Sequence, residues 1–367
     1  MRVAIVGAGL TGLATAAAFN RNGHQVRVFE QAPGLRATGL AINLWSNATS
    51  LLPGFGIPAH RVPGEPFSRM LLRASGREVA AMELPAEGLP HVNVERAELL
   101  TALAAVLPPD AVTYGARCAD PSALAALVGE HDLVVVADGA NSALRTAVAR
   151  PPRKRWTWTV WQACVTAAVP GVPPGTGASV FRPGLFCGIW RLPGDRVTWF
   201  AEQPGRSSGD GARLLRDLRD DEDPVLRTLA HATAEEEDWT EWRAQDMWPP
   251  RTLHRGNVVL AGDAAHTMLP TLGQGACQCL EDAAALAAAV EAPRGLDDAL
   301  RRYEAARVPR VRRLVAMARA GAASRRSSAA SRAVPAVMSA RMMAVTGGPA
   351  LRHITKPIKT LNLVPNG

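Results

Sequence analysis

The spacing of apolar residues in the first thirty positions is first that of a strand, then that of a helix, and then again that of a strand. This pattern predicts a strand, a turn, a helix and a second strand. The run RVAIV (2–6) has the continuous apolar character of a parallel strand buried on both faces. The segment GAGLTG (7–12) follows and leads into the helical stretch LATAAAFNRNG, which Gly23 can end. The second predicted strand is HQVRVFE (24–30). The chain is therefore expected to begin with a β-turn-α-β unit.

Two later apolar runs predict further parallel strands of the same sheet. DLVVVAD (132–138) and NVVLAGD (257–263) each end in an acid, Asp138 and Asp263. The carboxyl ends of parallel strands meet at the edge where doubly wound sheets bind ligands. Remote parts of the chain are thus expected to converge on one site.

The segment between these two strands alternates in the manner of antiparallel hairpins. LFCGIWRLPGDRVTWFAE (185–202) predicts a hairpin about the turn PGD, and SRMLLRASGREVAAMEL (68–84) predicts another about Ser75-Gly76. The region 151–250 also concentrates eight of the nine tryptophans: Trp156, Trp158, Trp161, Trp190, Trp199, Trp239, Trp242 and Trp248. An inserted, mostly antiparallel β-sheet domain is expected.

The predicted fold class is therefore α/β, with a Rossmann-like dinucleotide-binding domain interrupted by the β-sheet domain. The first domain is predicted to be discontinuous, over 1–67, 92–150 and 254–296. The β-sheet domain is predicted over 68–91 and 151–253, and a C-terminal helical region over 297–367.

The first thirty residues carry the features of a dinucleotide site. Gly7 permits the tight turn, Gly9 lets the backbone approach a pyrophosphate, and Gly12 lets the helix pack on the strand. The helix N-terminus offers free N–H groups and the positive end of its dipole to phosphates. Glu30, 18 residues beyond Gly12, is placed to accept a hydrogen bond from a ribose hydroxyl. A lone GxGxxG is weak evidence, but here all the elements occur in order.

The loop GDAAHTMLPTLGQG (262–275) predicts contact with a flat ring. The helix that follows would direct its free N–H groups and dipole at the negative charge of a reduced flavin. Gly273 and Gly275 would let the backbone come close to such a ring. The N-terminal unit would then hold the ADP half of the same cofactor.

In this order, GAGLTG, DGANSALR and GDAAHTMLPTLGQGACQCLED make the chain resemble the FAD-dependent aromatic hydroxylases of the para-hydroxybenzoate hydroxylase type, the group A flavoprotein monooxygenases. GLAINLWSNA (39–48), VERAELLTAL (94–103) and ALRRYEAARVPRVRRLV (299–315) extend the resemblance over nearly the whole chain. It implies a Rossmann-like FAD-binding domain of the GR2 type, a substrate-binding β-sheet domain and C-terminal helices.

The resemblance also implies roles for individual residues. Glu30 would bind the adenosine ribose, and Arg36 and Arg96 would contact FAD, although each arginine could instead form a surface ion pair. His266 is interpreted as a packing or hydrogen-bonding histidine instead of an acid or base. The remaining implied contacts are Asp138 and Gly139 in a motif linked to FAD and the nicotinamide cofactor, Asp263 at the ribityl–pyrophosphate region, and Pro270, Gly273 and Gly275 along the flavin ring.

The family chemistry implies that NADPH or NADH reduces FAD and that O2 then forms a C4a-hydroperoxyflavin, which hydroxylates or epoxidises an aromatic or other electron-rich molecule. Secondary metabolism is the expected setting. No second GxGxxG follows a strand, so NAD(P)H is expected to bind transiently. The protein must exclude water around the substrate. Phe181, Phe186, Trp190 and Trp199 are candidate pocket walls, with the alternative that they fill a second core.

Two departures from the family pattern bear on the substrate. Cys277 stands where the family often has asparagine, which removes a polar side chain near the ring. The chain has only two tyrosines, Tyr114 and Tyr303, both outside the inserted domain, so a tyrosine relay that deprotonates a phenol has no obvious carrier. A substrate that needs no deprotonation, such as an indole or an isolated alkene, is favoured.

Two alternative functions share the flavin site. In a flavin-dependent halogenase, WTWTVW (156–161) would correspond to a WxWxIP motif, but its ending differs and no lysine precedes Lys154 to serve as the active-site lysine. The chain could also be a flavin-binding partner protein without oxygenation activity.

The composition and charge of the chain indicate the cellular location of the protein and the partners that it binds. With 47% hydrophobic and 20% charged residues the chain has the composition of a typical globular protein. No stretch approaches the length of a membrane span, and no signal peptide precedes the first strand. A cytoplasmic location is therefore expected. Twelve basic residues and no acidic ones follow Glu304. We expect this tail to lie on the acidic remainder of the protein, not on nucleic acid, because no aromatic residue is interleaved for base stacking.

Five cysteines without a CxxC pair argue against a disulfide framework or a zinc site, and no metal is expected. Cys277 and Cys279 could form a redox pair, but two small buried residues on a helix are the favoured interpretation.

Overall fold

The structure of the protein is a computed structural model that describes residues 1–35, 41–84, 86–150, 154–204, 210–234, 239–292, 294–326, 341 and 354–355. The strands in this part of the chain are β1 (Arg2–Val6), β2 (Gln25–Glu30), β3 (Ala41–Leu44), β4 (Glu65–Phe67), β5 (Arg69–Ala74), β6 (Arg77–Glu83), β7 (His91–Glu95), β8 (Val112–Tyr114), β9 (Leu133–Val136), β10 (Lys154–Thr166), β11 (Thr176–Arg182), β12 (Leu185–Arg191), β13 (Arg196–Pro204), β14 (Thr240–Met247), β15 (His254–Arg255) and β16 (Val258–Leu260). The α-helices are α1 (Leu10–Arg21), α2 (Ser46–Thr49), α3 (Arg96–Ala104), α4 (Pro121–Glu130), α5 (Gly211–Arg219), α6 (Pro224–Ala232), α7 (Asp263–His266), α8 (Gly275–Val290) and α9 (Leu296–Arg326).

The first sheet has the order β15-β16-β9-β1-β2-β8 and is parallel except for its β15–β16 edge. Strand β1 lies inside this sheet and is buried from Val3 onward, because α1 packs against the sheet and α8 packs in turn against α1. The predicted β-turn-α-β unit and the two later parallel strands are confirmed. Their carboxyl ends meet along one edge, where the glycine loop lies.

The second sheet has the order β14-β10-β13-β12-β11-β5-β6 and is antiparallel except for the β5–β11 pair. Both predicted hairpins are confirmed: β12 pairs with β13, and β5 pairs with β6. The second hairpin turns at Ser75 and Gly76, whose φ angles are 51° and 71°, because glycine and a small polar residue tolerate the left-handed conformation of a tight turn. A third, small antiparallel sheet has the order β3-β7-β4.

The two faces of the seven-stranded sheet belong to different cores. The outer face carries Cys187, Ile189 and Trp199 and is covered by the apolar sides of α5 and α6. The inner face carries Trp190, which packs into the same core as the parallel sheet. The inner face is therefore the side of this sheet that faces the parallel sheet.

The described helices lack the combination of length and apolar character needed to cross a membrane. The exact domain boundaries stay a prediction, although the strands of the two large sheets come from the segments assigned to their domains. In the C-terminal region, α9 runs for 31 residues and packs along α8.

Candidate cofactor and substrate site

The first glycine loop has the close backbone contacts that its glycines predict. Gly7 has a φ of 103°, and a Cβ atom there would lie 2.6 Å from the Ala137 carbonyl oxygen. A Cβ at Gly12 would lie 1.8 Å from the Gly7 carbonyl oxygen, so only glycine lets α1 pack this closely. A Cβ at Gly9 would lie within 4 Å of no atom of the described residues. The space beside Gly9 is therefore open to a ligand, while Gly7 and Gly12 hold the loop.

Glu30 is fixed at the end of β2 by two backbone donors. Its Oε2 accepts a hydrogen bond from the Ala8 N–H and its Oε1 from the Ala32 N–H, both at 2.8 Å. Each carboxylate oxygen can accept a further hydrogen bond. The carboxylate is thus oriented beside the glycine loop with acceptor capacity left for a ribose hydroxyl.

Asp138 and Arg145 organise the loop that follows β9. Asp138 Oδ2 accepts a hydrogen bond from the Ala143 N–H at 3.0 Å, while its buried Oδ1 has no hydrogen-bond partner among the residues that the structure describes. The buried Arg145 guanidinium donates to the carbonyl oxygens of Ala140 at 3.0 Å and Ala264 at 2.6 Å. Burial lowers the pKa of Arg145, although Asp138 and Asp263 oppose the shift. Arg145 therefore connects the loops after β9 and β16.

Asp263 begins α7 at the same sheet edge and stays partly exposed. Burial raises the pKa of the Asp263 carboxyl, and the positive charges of His266, Arg96 and Arg145 oppose this rise. Arg96, the first residue of α3, therefore lies within electrostatic reach of Asp263. The other predicted FAD-contacting arginine, Arg36, lies outside the described residues.

We call residues 262–275 the cofactor loop. The backbone of this loop packs closely against neighbouring residues at its glycines. Gly262 has a φ of 61°, and a Cβ there would lie 2.0 Å from Thr11 Oγ1. Gly273 has a φ of 60°, and its carbonyl oxygen accepts a hydrogen bond from Trp45 Nε1 at 3.1 Å. Within the part of the chain that the structure describes, a Cβ at Gly275 would meet no atom within 4 Å. Gly275, at the N-terminus of α8, thus borders open space, as a flavin ring would require.

Pro270 begins a single 3-10 turn over Pro270–Leu272, and its carbonyl oxygen accepts a hydrogen bond from the Gly273 N–H at 2.8 Å. His266 is buried, and its Nε2 lies 2.5 Å from Asp282 Oδ2. This contact agrees with the interpretation of His266 as a hydrogen-bonding histidine.

Cys277 faces the backbone of β3 and its neighbours. Its Sγ accepts a hydrogen bond from the Trp45 N–H at 3.4 Å and lies 3.9 Å from the Asn43 carbonyl oxygen. Burial raises the pKa of the Cys277 thiol to about 12. The thiol is therefore a small neutral group that packs α8 against β3, and Cys279 is buried on the same helix.

Three of the four predicted wall residues form one aromatic row on the inner face. The rings of Phe181 and Phe186 lie 5.4 Å apart, Phe186 and Phe200 6.0 Å, and Phe200 stacks on Trp190 at 5.5 Å. A Cβ at Gly188 would lie 2.5 Å from the Trp190 ring, so this glycine makes room for the indole to lie flat on the sheet.

Trp199 does not belong to this row. It pairs with Ile189 across the hairpin, whereas Trp190 pairs with Thr198, so the two indoles face opposite sides. Trp199 is fully buried in the outer core, where its Nε1 donates to Thr233 Oγ1 at 3.1 Å. Its assignment to the substrate pocket is corrected, because successive side chains of a strand alternate between faces.

The sequence interpretation missed several residues that shape this site. Arg145 lies inside the DGANSALR segment, so this motif could have indicated Arg145 as a residue of the site. Trp45 and Asn47, near the start of α2, contact the cofactor loop, but no local pattern indicates those contacts. The side chains of β13 alternate between the two faces of the sheet. The inner-face position of Phe200 can therefore be deduced once the pairing of β13 with β12 is known. Within the described ranges, no group of three or more His, Cys, Asp or Glu residues could hold a metal ion.

Comparison with known proteins gives two family matches. A model described as an FAD binding domain matches residues 196–318, and one described as an NAD(P)-binding Rossmann-like domain matches residues 5–44. The 3-amino-4-hydroxybenzoate 2-monooxygenase of Streptomyces cremeus is 32% identical over 342 residues, which cover 84% of each chain. The aurachin C monooxygenase/isomerase of Stigmatella aurantiaca is 30% identical, over 86% of this chain and 87% of its own.

The fold also matches solved structures over almost its whole length. The crystal structure of Klebsiella pneumoniae HpxO complexed with FAD and uric acid has a TM-score of 0.85 and 26% identity, covering 99% of this chain and 98% of that one. A salicylate hydroxylase substrate complex has a TM-score of 0.71 at 19% identity, covering 97% of this chain and 98% of that one, and shares the fold.

Proposed function

Because the chain belongs to the FAD-dependent aromatic monooxygenases of the para-hydroxybenzoate hydroxylase type, we propose which molecules it oxidises: flat, neutral aromatic compounds. The chain is an NAD(P)H-dependent flavoprotein monooxygenase that binds FAD and hydroxylates an aromatic small molecule. Bound FAD supplies the redox chemistry, in which NAD(P)H is the electron donor and O2 the source of the transferred oxygen.

The residues at the sheet edge fit FAD. The open space at Gly9 suits a pyrophosphate, and the oriented carboxylate of Glu30 suits a ribose. Asp263, partly exposed between the two ends of the site, suits the hydroxyl-bearing ribityl chain. The open backbone at Gly275 and the free N–H groups of α8 suit the electron-rich edge of the flavin ring. In this arrangement two remote segments of the chain hold opposite ends of one cofactor.

The aromatic row on the inner face is the observation that carries the substrate proposal. Phe181, Phe186, Phe200 and Trp190 present contiguous ring surface on the side of the sheet that faces the cofactor loop. Such a wall stacks on a planar ring and excludes water from the reacting atoms. Neither tyrosine supplies an acid or base in the pocket, because Tyr303 is fully buried and donates to the Leu260 carbonyl oxygen, while Tyr114 lies at the far end of the first sheet.

The charges near this face favour a neutral substrate. Arg196, at its rim, donates to the Glu95 carboxylate and to Cys164 Sγ, so its positive charge is already compensated. An aromatic carboxylate would need a cation to offset the loss of its hydration. We therefore expect neutral indoles, phenols or polycyclic aromatics to be better substrates than the corresponding carboxylic acids.

The test is product analysis by mass spectrometry with purified protein, FAD, NADPH or NADH and matched pairs of neutral and carboxylated aromatics. The proposal predicts products that gain one oxygen atom from the neutral member of a pair. Oxygenation confined to the carboxylated members would contradict it. FAD binding without substrate-stimulated NAD(P)H oxidation across the panel would instead favour the flavin-binding partner without its own activity. Dependence of product formation on chloride or bromide would favour the halogenase.

The same proposal includes a cytoplasmic location and no nucleic-acid partner. All five cysteines are free thiols, as a reducing compartment allows. Several arginines of the basic C-terminal part contact the protein itself: Arg307, Arg310, Arg312 and Arg319. These contacts support the interpretation that α9 lies on the acidic remainder of the chain.

A further inference from the structure

A fully buried ionic cluster lies between α8 and α9, behind the cofactor loop. Arg307 Nε donates to Asp282 Oδ1 at 2.6 Å, and Arg307 Nη1 donates to Glu281 Oε2 at 2.5 Å. Arg307 Nη2 donates to Gln278 Oε1 at 2.7 Å. Removing one partner from such a group leaves an uncompensated charge away from water. Arg307 therefore compensates the charge of Asp282 and shares that of Glu281 with Arg310, which donates to both Glu281 carboxylate oxygens.

The first end of the cofactor loop is bound to this cluster. Asp282 Oδ2, the oxygen that Arg307 does not use, accepts the Gly262 N–H at 2.6 Å and lies 2.5 Å from His266 Nε2. Burial would raise the pKa of Asp282, but His266 and Arg307 lower it below the ordinary value. The carboxylate thus holds the turn that places Asp263.

The second end of the loop is bound to the same cluster through amides. Gln274, the residue before Gly275, accepts hydrogen bonds at its Oε1 from Asn47 Nδ2 at 3.1 Å and from Gln278 Nε2 at 3.0 Å. Asn47 Nδ2 also donates to Glu281 Oε1 at 2.7 Å. The carboxylates paired with Arg307 therefore reach both Gly262 and, through Asn47, Gln274.

Further along, α9 also contacts the middle of the loop and the substrate-facing sheet. Thr271 Oγ1 donates to the Ala318 carbonyl oxygen at 3.0 Å. Ala318 and Ala322 pack with Trp158 of β10, and Arg319 pairs with Asp246 of β14. One helix thus fixes the loop relative to both the parallel sheet and the inner face.

We propose that Arg307 is a positioning residue for the cofactor loop: by holding Asp282, and together with Arg310 also Glu281, as buried carboxylates, it sets the separation and orientation of the two loop ends that border the flavin. The proposal rests on the loop binding FAD, as stated above. Arg307 acts through Asp282 and Asn47 and does not touch the flavin or the substrate.

A matched pair of buried arginines separates positioning from general stability. Arg73, on β5, forms a buried ion pair with Asp223 at 3.0 Å on the outer face of the seven-stranded sheet, remote from the cofactor loop. Arg307→Met and Arg73→Met each remove one buried guanidinium, and both are expected to lower the melting temperature. FAD affinity is measured by fluorescence titration of the cofactor-free variants at a temperature where circular dichroism shows them folded.

The proposal predicts that Arg307→Met weakens FAD binding by about tenfold or more and changes the visible circular dichroism of bound FAD, while Arg73→Met changes neither. Arg307→Lys, which keeps the charge, is expected to recover part of the affinity. Equal FAD affinity and an unchanged flavin spectrum in folded Arg307→Met would overturn the proposal.

If Arg307→Met does not fold, Asn47→Ala provides the test, since it removes the link between Glu281 and Gln274 and leaves the ion pairs intact. Weaker FAD binding and a changed flavin spectrum are again expected, and wild-type values in this variant would overturn the proposal. Failure of the wild-type protein to bind FAD would contradict the family function itself, which distinguishes the two failures.

Discussion

Trp190 and Trp199 lie on neighbouring strands of one hairpin but face opposite sides of the sheet. Trp190 stacks on Phe200 on the inner face, and Trp199 lies 4.6 Å from Trp239, between ring centroids, in the outer core. The one-residue offset between Trp190, which pairs with Thr198, and Trp199 decides this difference. Two residues of the same type on one hairpin therefore have separable roles.

We predict that Trp190→Ala changes substrate binding while Trp199→Ala changes stability. Loss of the Trp190 ring removes part of the aromatic wall, so KM for an accepted aromatic substrate should rise by about tenfold and more NAD(P)H should be oxidised without product. Trp199→Ala leaves a cavity in the outer core and should lower the free energy of unfolding by about 3–5 kcal/mol. Steady-state kinetics and urea unfolding of both variants measure these effects.

Trp190→Phe is the control for the first effect, because it keeps a flat ring on Gly188 and should retain most of the substrate affinity. An unchanged KM in Trp190→Ala, or a raised KM in a folded Trp199→Ala variant, would contradict the assignment of the two faces.

A second prediction contrasts Gly9 and Gly12. Gly12→Ala places a Cβ 1.8 Å from the Gly7 carbonyl oxygen, so α1 must move and the protein should lose both stability and FAD. The Gly9→Ala methyl group meets no atom among the described ranges, so the cofactor-free protein should keep its melting temperature. Its FAD affinity should still fall by about tenfold or more, because the methyl group occupies the space of the pyrophosphate. Thermal unfolding and fluorescence titration separate the two; full FAD affinity in Gly9→Ala would mean that the pyrophosphate lies elsewhere.

The parallel sheet and its glycine loop could be predicted because their signals are local. The strand run, the turn glycines and the helical period lie within thirty consecutive residues and each predicts the same unit. The hairpin about Ser75-Gly76 could be predicted for the same reason, because its signals are also local. The function was also predictable, because three specific segments occur in the family's order along the chain.

Contacts between remote elements could not be predicted from the sequence. The side of the sheet that Trp199 occupies depends on the register of β12 with β13, and a one-residue shift reverses it. Arg307 follows the helical pattern of α9 and has no local feature that distinguishes it from the exposed arginines beside it. Its role depends on how α9 docks on Asp282, twenty-five residues away along the chain.

A third prediction concerns thiol reactivity. Cys118 and Cys164 are partly exposed, whereas Cys187, Cys277 and Cys279 are buried. Burial also raises the pKa of each of these three thiols, which suppresses the reactive thiolate. A disulfide reagent should therefore modify two thiols per chain in the native protein and five after denaturation. Fast modification of Cys277 or Cys279, located by peptide mass spectrometry, would contradict their interpretation as packing residues of α8.

The last prediction is that Asp263→Asn stabilises the cofactor-free protein while weakening FAD binding. Burial raises the pKa of Asp263 in the folded state, so the folded protein binds the proton more readily than the unfolded chain does. Stability is therefore lost as pH rises from the unfolded pKa, about 3.9, through the raised folded pKa, and at neutral pH the charged carboxylate is destabilising. Asparagine removes that charge and should raise the melting temperature at pH 7.

The gain should shrink as the pH is lowered, because the wild-type carboxyl then becomes neutral in both states. FAD affinity should fall at neutral pH, since the carboxylate accepts hydrogen bonds from the ribityl hydroxyls more strongly than an amide does. Melting curves from pH 4 to pH 8, with and without FAD, measure both effects. A lower melting temperature in cofactor-free Asp263→Asn at pH 7 would show that Arg96 and Arg145 outweigh the burial of the carboxylate, and unchanged FAD affinity would place the ribityl chain away from α7.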